Sequence, residues 1–131
     1  GDTLRNMSPE ARDSIPQEHM DKLVANVAYA STNGIYLDTF GADENVLYDP
    51  NEGHTLIDFS LSGPQTTPAN PAASVRFFAG QVLFDHPTAN KTPLPTEMKT
   101  FYKSYQNAFG QEEAEKLKEE WRSQHRVPED L

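Results

Sequence analysis

The sequence contains no cysteine, which excludes a disulfide framework, a thiolate metal site and a cysteine nucleophile, and leaves the redox compartment open. No apolar run approaches the roughly 20 residues that a membrane span needs. The N-terminus carries no signal-peptide pattern either, so a soluble chain that meets no membrane is expected. Basic residues are scarce: 11 Lys and Arg stand against 20 Asp and Glu, for a net charge of -9. Without a basic stripe, nucleic acid and anionic lipid would both be repelled. The four histidines, His19, His54, His86 and His125, show no H-x-x-x-H or H-E-x-x-H spacing, which argues against zinc. There is no G-x-S-x-G elbow, hence no case for a hydrolase.

What is present suits one domain with a modest core, since 131 residues bury about two thirds of the unfolded surface. The acidic charge is concentrated early. Residues 1–60 hold 11 acidic and 3 basic side chains, against 9 and 8 in residues 61–131. Solubility explains such a pole, and so does a cation site or a basic partner. Because Gly1 stands first in place of Met, the chain reads as a trimmed piece of a longer protein.

Residues 1–13 mix charges with Ser and Pro without a period and read as a flexible lead-in, so the folded domain is expected over 14–131. Ser14-Ile15-Pro16-Gln17 has the S-x-x-Q form of a capping box. Met20, Leu23, Val24, Val27, Ala28 and Ser31 then form one helical stripe over about 15–32, with Gly34 as its stop. Ile35 and Tyr36 begin a short strand, followed by an acidic loop from Asp38 to Asn45. Two strand-like runs, Val46-Leu47-Tyr48 and Thr55-Leu56-Ile57, flank the turn Asp49-Pro50-Asn51-Glu52-Gly53 and predict a hairpin over about 45–59.

The three prolines between Ser60 and Ala73 predict a long loop. Val75 to Phe84 is apolar and ambiguous in period; a helix capped by Ser74 is the reading adopted. After a Pro-rich connection from His86 to Pro95, Thr96 is expected to cap a helix whose Met98, Phe101, Tyr102, Tyr105 and Phe109 face inward, ending at Gly110. A last helix runs from Gln111 to about His125, with Ala114, Leu117 and Trp121 inward. Trp121 reads as a core anchor or, if exposed, as an interface hot spot. The expected class is α+β, mainly helical, with three to four helices and one hairpin.

The order of amphipathic helix, G-I-Y, acidic loop, then N-V-L-Y-D and L-I-D-F resembles the catalytic segment in the C-terminal lobe of the protein-kinase-like fold. In detail residues 14–60 are similar to the small bacterial type III secreted effector kinases of the OspG/NleH kind. The resemblance implies that Asp38 to Asn45 is the catalytic loop and Asp58-Phe59-Ser60 the magnesium-binding triplet. By it, Asn45 and Asp58 are the two metal-holding positions, with Asp38 or Asp43 as the catalytic carboxylate. Asn before a strand and Asp after one are also common turn and cap residues.

A kinase loop of the form H-R-D-x-x-x-x-N spaces its Asp five residues before its Asn. Phe40 stands there in this chain. The thirteen residues ahead of the first helix hold no G-x-G and no lysine, so the chain alone is expected to lack catalysis. Magnesium and ATP would belong to the full-length protein. The resemblance further implies a virulence effector that acts in the host-cell cytoplasm by binding a host protein, a ubiquitin-charged conjugating enzyme being the partner it suggests. An active or atypical Ser/Thr kinase with its N-terminal lobe upstream, and an α+β interaction module of unrelated fold, are the two alternatives.

Overall fold

The first thirteen residues are built, in contrast to the loose lead-in expected of them. In the computed structural model, which describes residues 2–33, 35–37, 44–57, 59–61, 70–83, 95–124 and 131, the chain opens with strand β1 (Asp2–Thr3). For residues 35–37, 59–61 and 124 the backbone alone is described. A 3-10 turn over Leu4–Asn6 follows, capped by the Thr3 hydroxyl, which accepts from the Asn6 N–H at 3.3 Å. Helix α1 (Pro9–Asp13) starts with Ser8, whose Oγ accepts from the Ala11 N–H at 3.1 Å, and has Pro9 in the first turn, where its missing N–H costs nothing. Leu4 is 1% and Arg12 0% exposed. The charges that suggested a solvated segment include one that the fold encloses.

Ser14 does not cap the next helix. It closes α1 instead, donating its N–H to the Ala11 carbonyl at 3.2 Å and its hydroxyl to the Glu10 carbonyl at 2.8 Å. Helix α2 (Gln17–Thr32) begins behind Pro16, and no side chain caps it. The capping box fails because a short helix already claims its serine. Met20, Leu23, Val24, Val27 and Ser31 are buried along one face, as the helical period predicts, and His19 is buried with them. The last turn is closed by the Asn33 N–H, shared between the Tyr29 and Ala30 carbonyls at 3.2 and 3.0 Å. Gly34, the expected stop, lies outside the described residues.

Two antiparallel sheets follow. Strand β2 (Ile35–Leu37) pairs with β5 (Phe59–Leu61), Leu37 opposite Phe59. Strands β3 (Val46–Asp49) and β4 (Gly53–Leu56) form the expected hairpin, Val46 opposite Leu56 and Tyr48 opposite His54. β1 joins the other edge of β3, giving the order β1-β3-β4.

Helix α3 (Pro71–Leu83) starts within the stretch expected to be loop. Asn70 caps it, its Oδ1 accepting from the Ala73 N–H at 3.3 Å, so Pro71 occupies the one helical position that tolerates proline. Ser74, expected as the cap, instead accepts a hydrogen bond from the Ser31 hydroxyl at 2.8 Å. Val75, Phe78, Ala79, Val82 and Leu83 are buried, and Phe77 points outward, 56% exposed. Helix α4 (Pro95–Phe109) likewise starts one residue before its expected cap, and Thr96 lies in the first turn with its carbonyl accepting from the Thr100 hydroxyl at 2.8 Å. Gly110, at φ +92°, turns the chain into α5 (Gln111–Gln124).

The class is therefore α+β and mainly helical, with five α-helices among the described residues where three to four were expected, α1 being the addition. Among the described residues, twenty buried apolar side chains, from Leu4 to Trp121, make one cluster. Trp121, 2% exposed beside the Phe101 and Tyr102 rings at 6.3 and 6.4 Å, is a core anchor and not an exposed hot spot. Among the described residues no helix is long and apolar enough to cross a membrane.

A buried ion pair fastens the first helix to this core. The Arg12 Nε and Nη2 donate to the two Glu97 oxygens at 3.0 and 2.9 Å, and Nη2 also donates to the Val82 carbonyl at 3.0 Å. Asp13 accepts from the Glu97 N–H at 2.8 Å. Burial pushes the Glu97 carboxyl up, and the Arg12 guanidinium opposes that shift.

Candidate functional site

The hairpin is the candidate site, and its turn is made by three devices. Asp49 Oδ1 accepts from the Asn51 and Glu52 N–H groups at 2.7 and 3.1 Å, an Asx turn that also holds the Asp49 carboxyl below its ordinary value. Pro50 sets the first turn residue. Gly53 then takes φ +89°, and a Cβ there would come within 3.3 Å of the His19 ring. Glycine is needed twice, for the left-handed backbone and for the close approach to α2.

Two imidazoles hold the hairpin on that helix. His19 Nδ1 shares a hydrogen bond with the Tyr48 hydroxyl at 2.7 Å, and the His54 ring lies 4.9 Å from the Tyr48 ring on the neighbouring strand. Burial lowers the His54 pKa to about 4; the nearby His19 and Arg12 push the same way, against a hydrogen bond to the His19 backbone. Tyr48 is shifted up, first by burial and then by the carboxylates of Asp49 and Glu18. A groove of about 500 Å³ opens beside it, with Asn6, Met7 and Ser8 facing Tyr48 and Pro50.

Of the residues singled out from the sequence, Asn45 is described. It is buried immediately before β3, its carbonyl accepting from the Ile57 N–H at 2.9 Å. Asp38, Asp43 and Asp58 lie outside the described residues. Their described neighbours are informative. Leu37, which precedes Asp38, is paired with Phe59, which follows Asp58. Leu56, opposite Val46, is three residues before Phe59, so the two rungs lie within about 11 Å of each other by chain reach. The positions adjoining Asp38, Asn45 and Asp58 in sequence thus share one end of the two sheets. Glu44, next to Asn45, is ion-paired to Arg5 of the N-terminal turn.

Among the described residues no group of three or more His, Asp or Glu side chains is arranged to hold a metal ion. A magnesium ion would need the carboxylates of Asp38, Asp43 or Asp58 beside the Asn45 amide, oxygen donors of the kind that hard cation takes. No local pattern marks the His19–Tyr48–His54 stack, because the strand register sets Tyr48 beside His54 while His19 comes from α2, 35 positions before His54. No family model matches the chain, and neither the curated proteins nor the solved structures compared with it include a match.

Proposed function

We propose that this chain is a kinase-like domain of the C-terminal-lobe type, from a bacterial effector that works in a host cell by binding a host protein and transfers no phosphate by itself. One observation carries the reading. The order α2, β2, β3–β4 hairpin, β5 is accompanied by pairing of Leu37 with Phe59 and of Val46 with Leu56, which gathers the positions adjoining Asp38, Asn45 and Asp58. Phe40 at the place of the expected catalytic Asp supports binding over catalysis. The acidic early half, with 11 acidic side chains against 3 basic in residues 1–60, suits a basic docking surface.

The partner of choice is a ubiquitin-charged conjugating enzyme. Titration of the labelled chain with that conjugate should give saturable binding, and Glu44→Lys with Glu52→Lys should weaken it by about tenfold or more. Binding that is absent, or indifferent to both charge reversals, refutes the reading.

The same gathering of positions favours a second reading, in which Asn45 and Asp58 hold magnesium against ATP phosphates and Asp38 or Asp43 serves as base in a phosphoryl-transfer enzyme. Magnesium with ATP at about 100 times its dissociation constant would stabilise the fold by about 2.7 kcal/mol, and Asp58→Ala would abolish that gain. No rise in melting temperature at millimolar nucleotide excludes it.

A further inference from the structure

The His19–Tyr48–His54 stack lies at the junction between α2 and the hairpin. One phenol ring has two imidazole neighbours, His19 at 5.6 Å edge-on and His54 at 4.9 Å. His54 Nδ1 is buried and has no hydrogen-bond partner. Among the described residues, the charged and titratable groups that act on the stack come from three elements: His19 and Glu18 from α2, Asp49 from β3, and Arg12 from α1. Arg12 and His19 oppose a further positive charge at His54. Of the two carboxylates, Asp49 has one oxygen committed to turn N–H groups. His54 as a whole is half-buried, but a proton on its buried Nδ1 would add a cation with no carboxylate partner among the described residues, and burial makes such a charge costly.

We propose that this stack is an acid-sensitive latch: mild acid loosens the β3–β4 hairpin from α2, because His54 takes up a proton only after the hairpin has moved away. The device controls access to the hairpin end that carries Asn45, and it operates whether or not the chain binds a host protein. Its sign follows from linkage. Closed, His54 titrates at about 4; open, it returns to about 6.5, so the open form binds more protons throughout the window between those values. Opening is therefore favoured as pH falls from about 6.5 to about 4, by about tenfold at pH 5.5 relative to pH 7.5.

Amide hydrogen exchange of the whole chain, corrected for intrinsic rates, tests this. Hairpin amides of β3 and β4 should lose about tenfold in protection between pH 7.5 and 5.5. In His54→Phe, which keeps a ring against Tyr48 and cannot titrate, the loss should vanish. Should that variant fail to fold, His54→Gln carries the same comparison. Unchanged protection in the native chain, or an equal loss in the variant, overturns the latch. So does exchange of the hairpin amides in step with those of α4 and α5 at pH 5.5, because the hairpin would then not open on its own.

Discussion

Removing one partner of the Arg12–Glu97 pair should be among the most damaging single changes in this chain. Glu97→Gln keeps the shape of the side chain but leaves a guanidinium that is 0% exposed with no counter-charge. Arg12 cannot shed its proton, and its Nη1 already lacks a hydrogen-bond partner, so the Val82 carbonyl and a neutral amide are left to hold a full charge. Breaking a buried pair from one side costs about 3–5 kcal/mol, against a total stability of about 5–15 kcal/mol for a domain. The melting temperature should fall by about 10–20 °C.

Replacing both partners with apolar residues, Arg12→Met with Glu97→Leu, should recover most of that loss, since no charge remains to desolvate. Urea denaturation of the native chain, both single variants and the double variant gives the coupling directly. Lys116→Ala serves as a control. Its pair with Glu113, 3.0 Å long and solvent-exposed, should be worth within about 0.5 kcal/mol. A single-variant cost below about 1 kcal/mol, or a double variant as unstable as the sum of the two, would refute the argument.

The glycines make a graded test by chemical denaturation: Gly53→Ala meets both a positive φ and the His19 ring and should cost about 2 kcal/mol or more. Gly110→Ala, with a positive φ and open space around it, should cost about 1 kcal/mol. Gly80→Ala, inside α3 with nothing within 4 Å, should stabilise by about 0.5–1 kcal/mol. Trp121→Ala should cost about 3–5 kcal/mol by emptying the contact between α4 and α5. By contrast Tyr29→Ser, at a side chain 74% exposed, should change the denaturation midpoint by no more than about 0.5 kcal/mol in stability.

The parts of the fold that were readable are those whose cause lies within a few residues. The stripe from Met20 to Ser31 and the aromatic face of α4 are helical periods, and the Asp49-to-Gly53 turn is local chemistry. Proline number alone predicts loops over both Pro-rich stretches, yet position decides: Pro71 and Pro95 open helices. What escaped depends on distant partners. Arg12 looks like a solvated charge until Glu97 arrives, and His19 and His54 look unrelated until the hairpin is laid on α2. For the candidate site the same limit applies. Asn45 is legible as the residue before a strand, whereas its proximity to the positions beside Asp38 and Asp58 is set by the β2–β5 register, which no local pattern encodes.

The buried ion pair also imposes an order on biosynthesis. Arg12 and Glu97 are 85 residues apart, so at about 5–20 residues per second the arginine leaves the ribosome roughly 4–17 s before its partner. Throughout that interval the guanidinium has to stay hydrated, which keeps α1 and the neighbouring Leu4 from settling onto the growing core. Until the segment around Glu97 emerges the nascent chain therefore carries an apolar surface around Leu4, and chaperone capture or proteolysis of stalled chains should fall on residues 1–15.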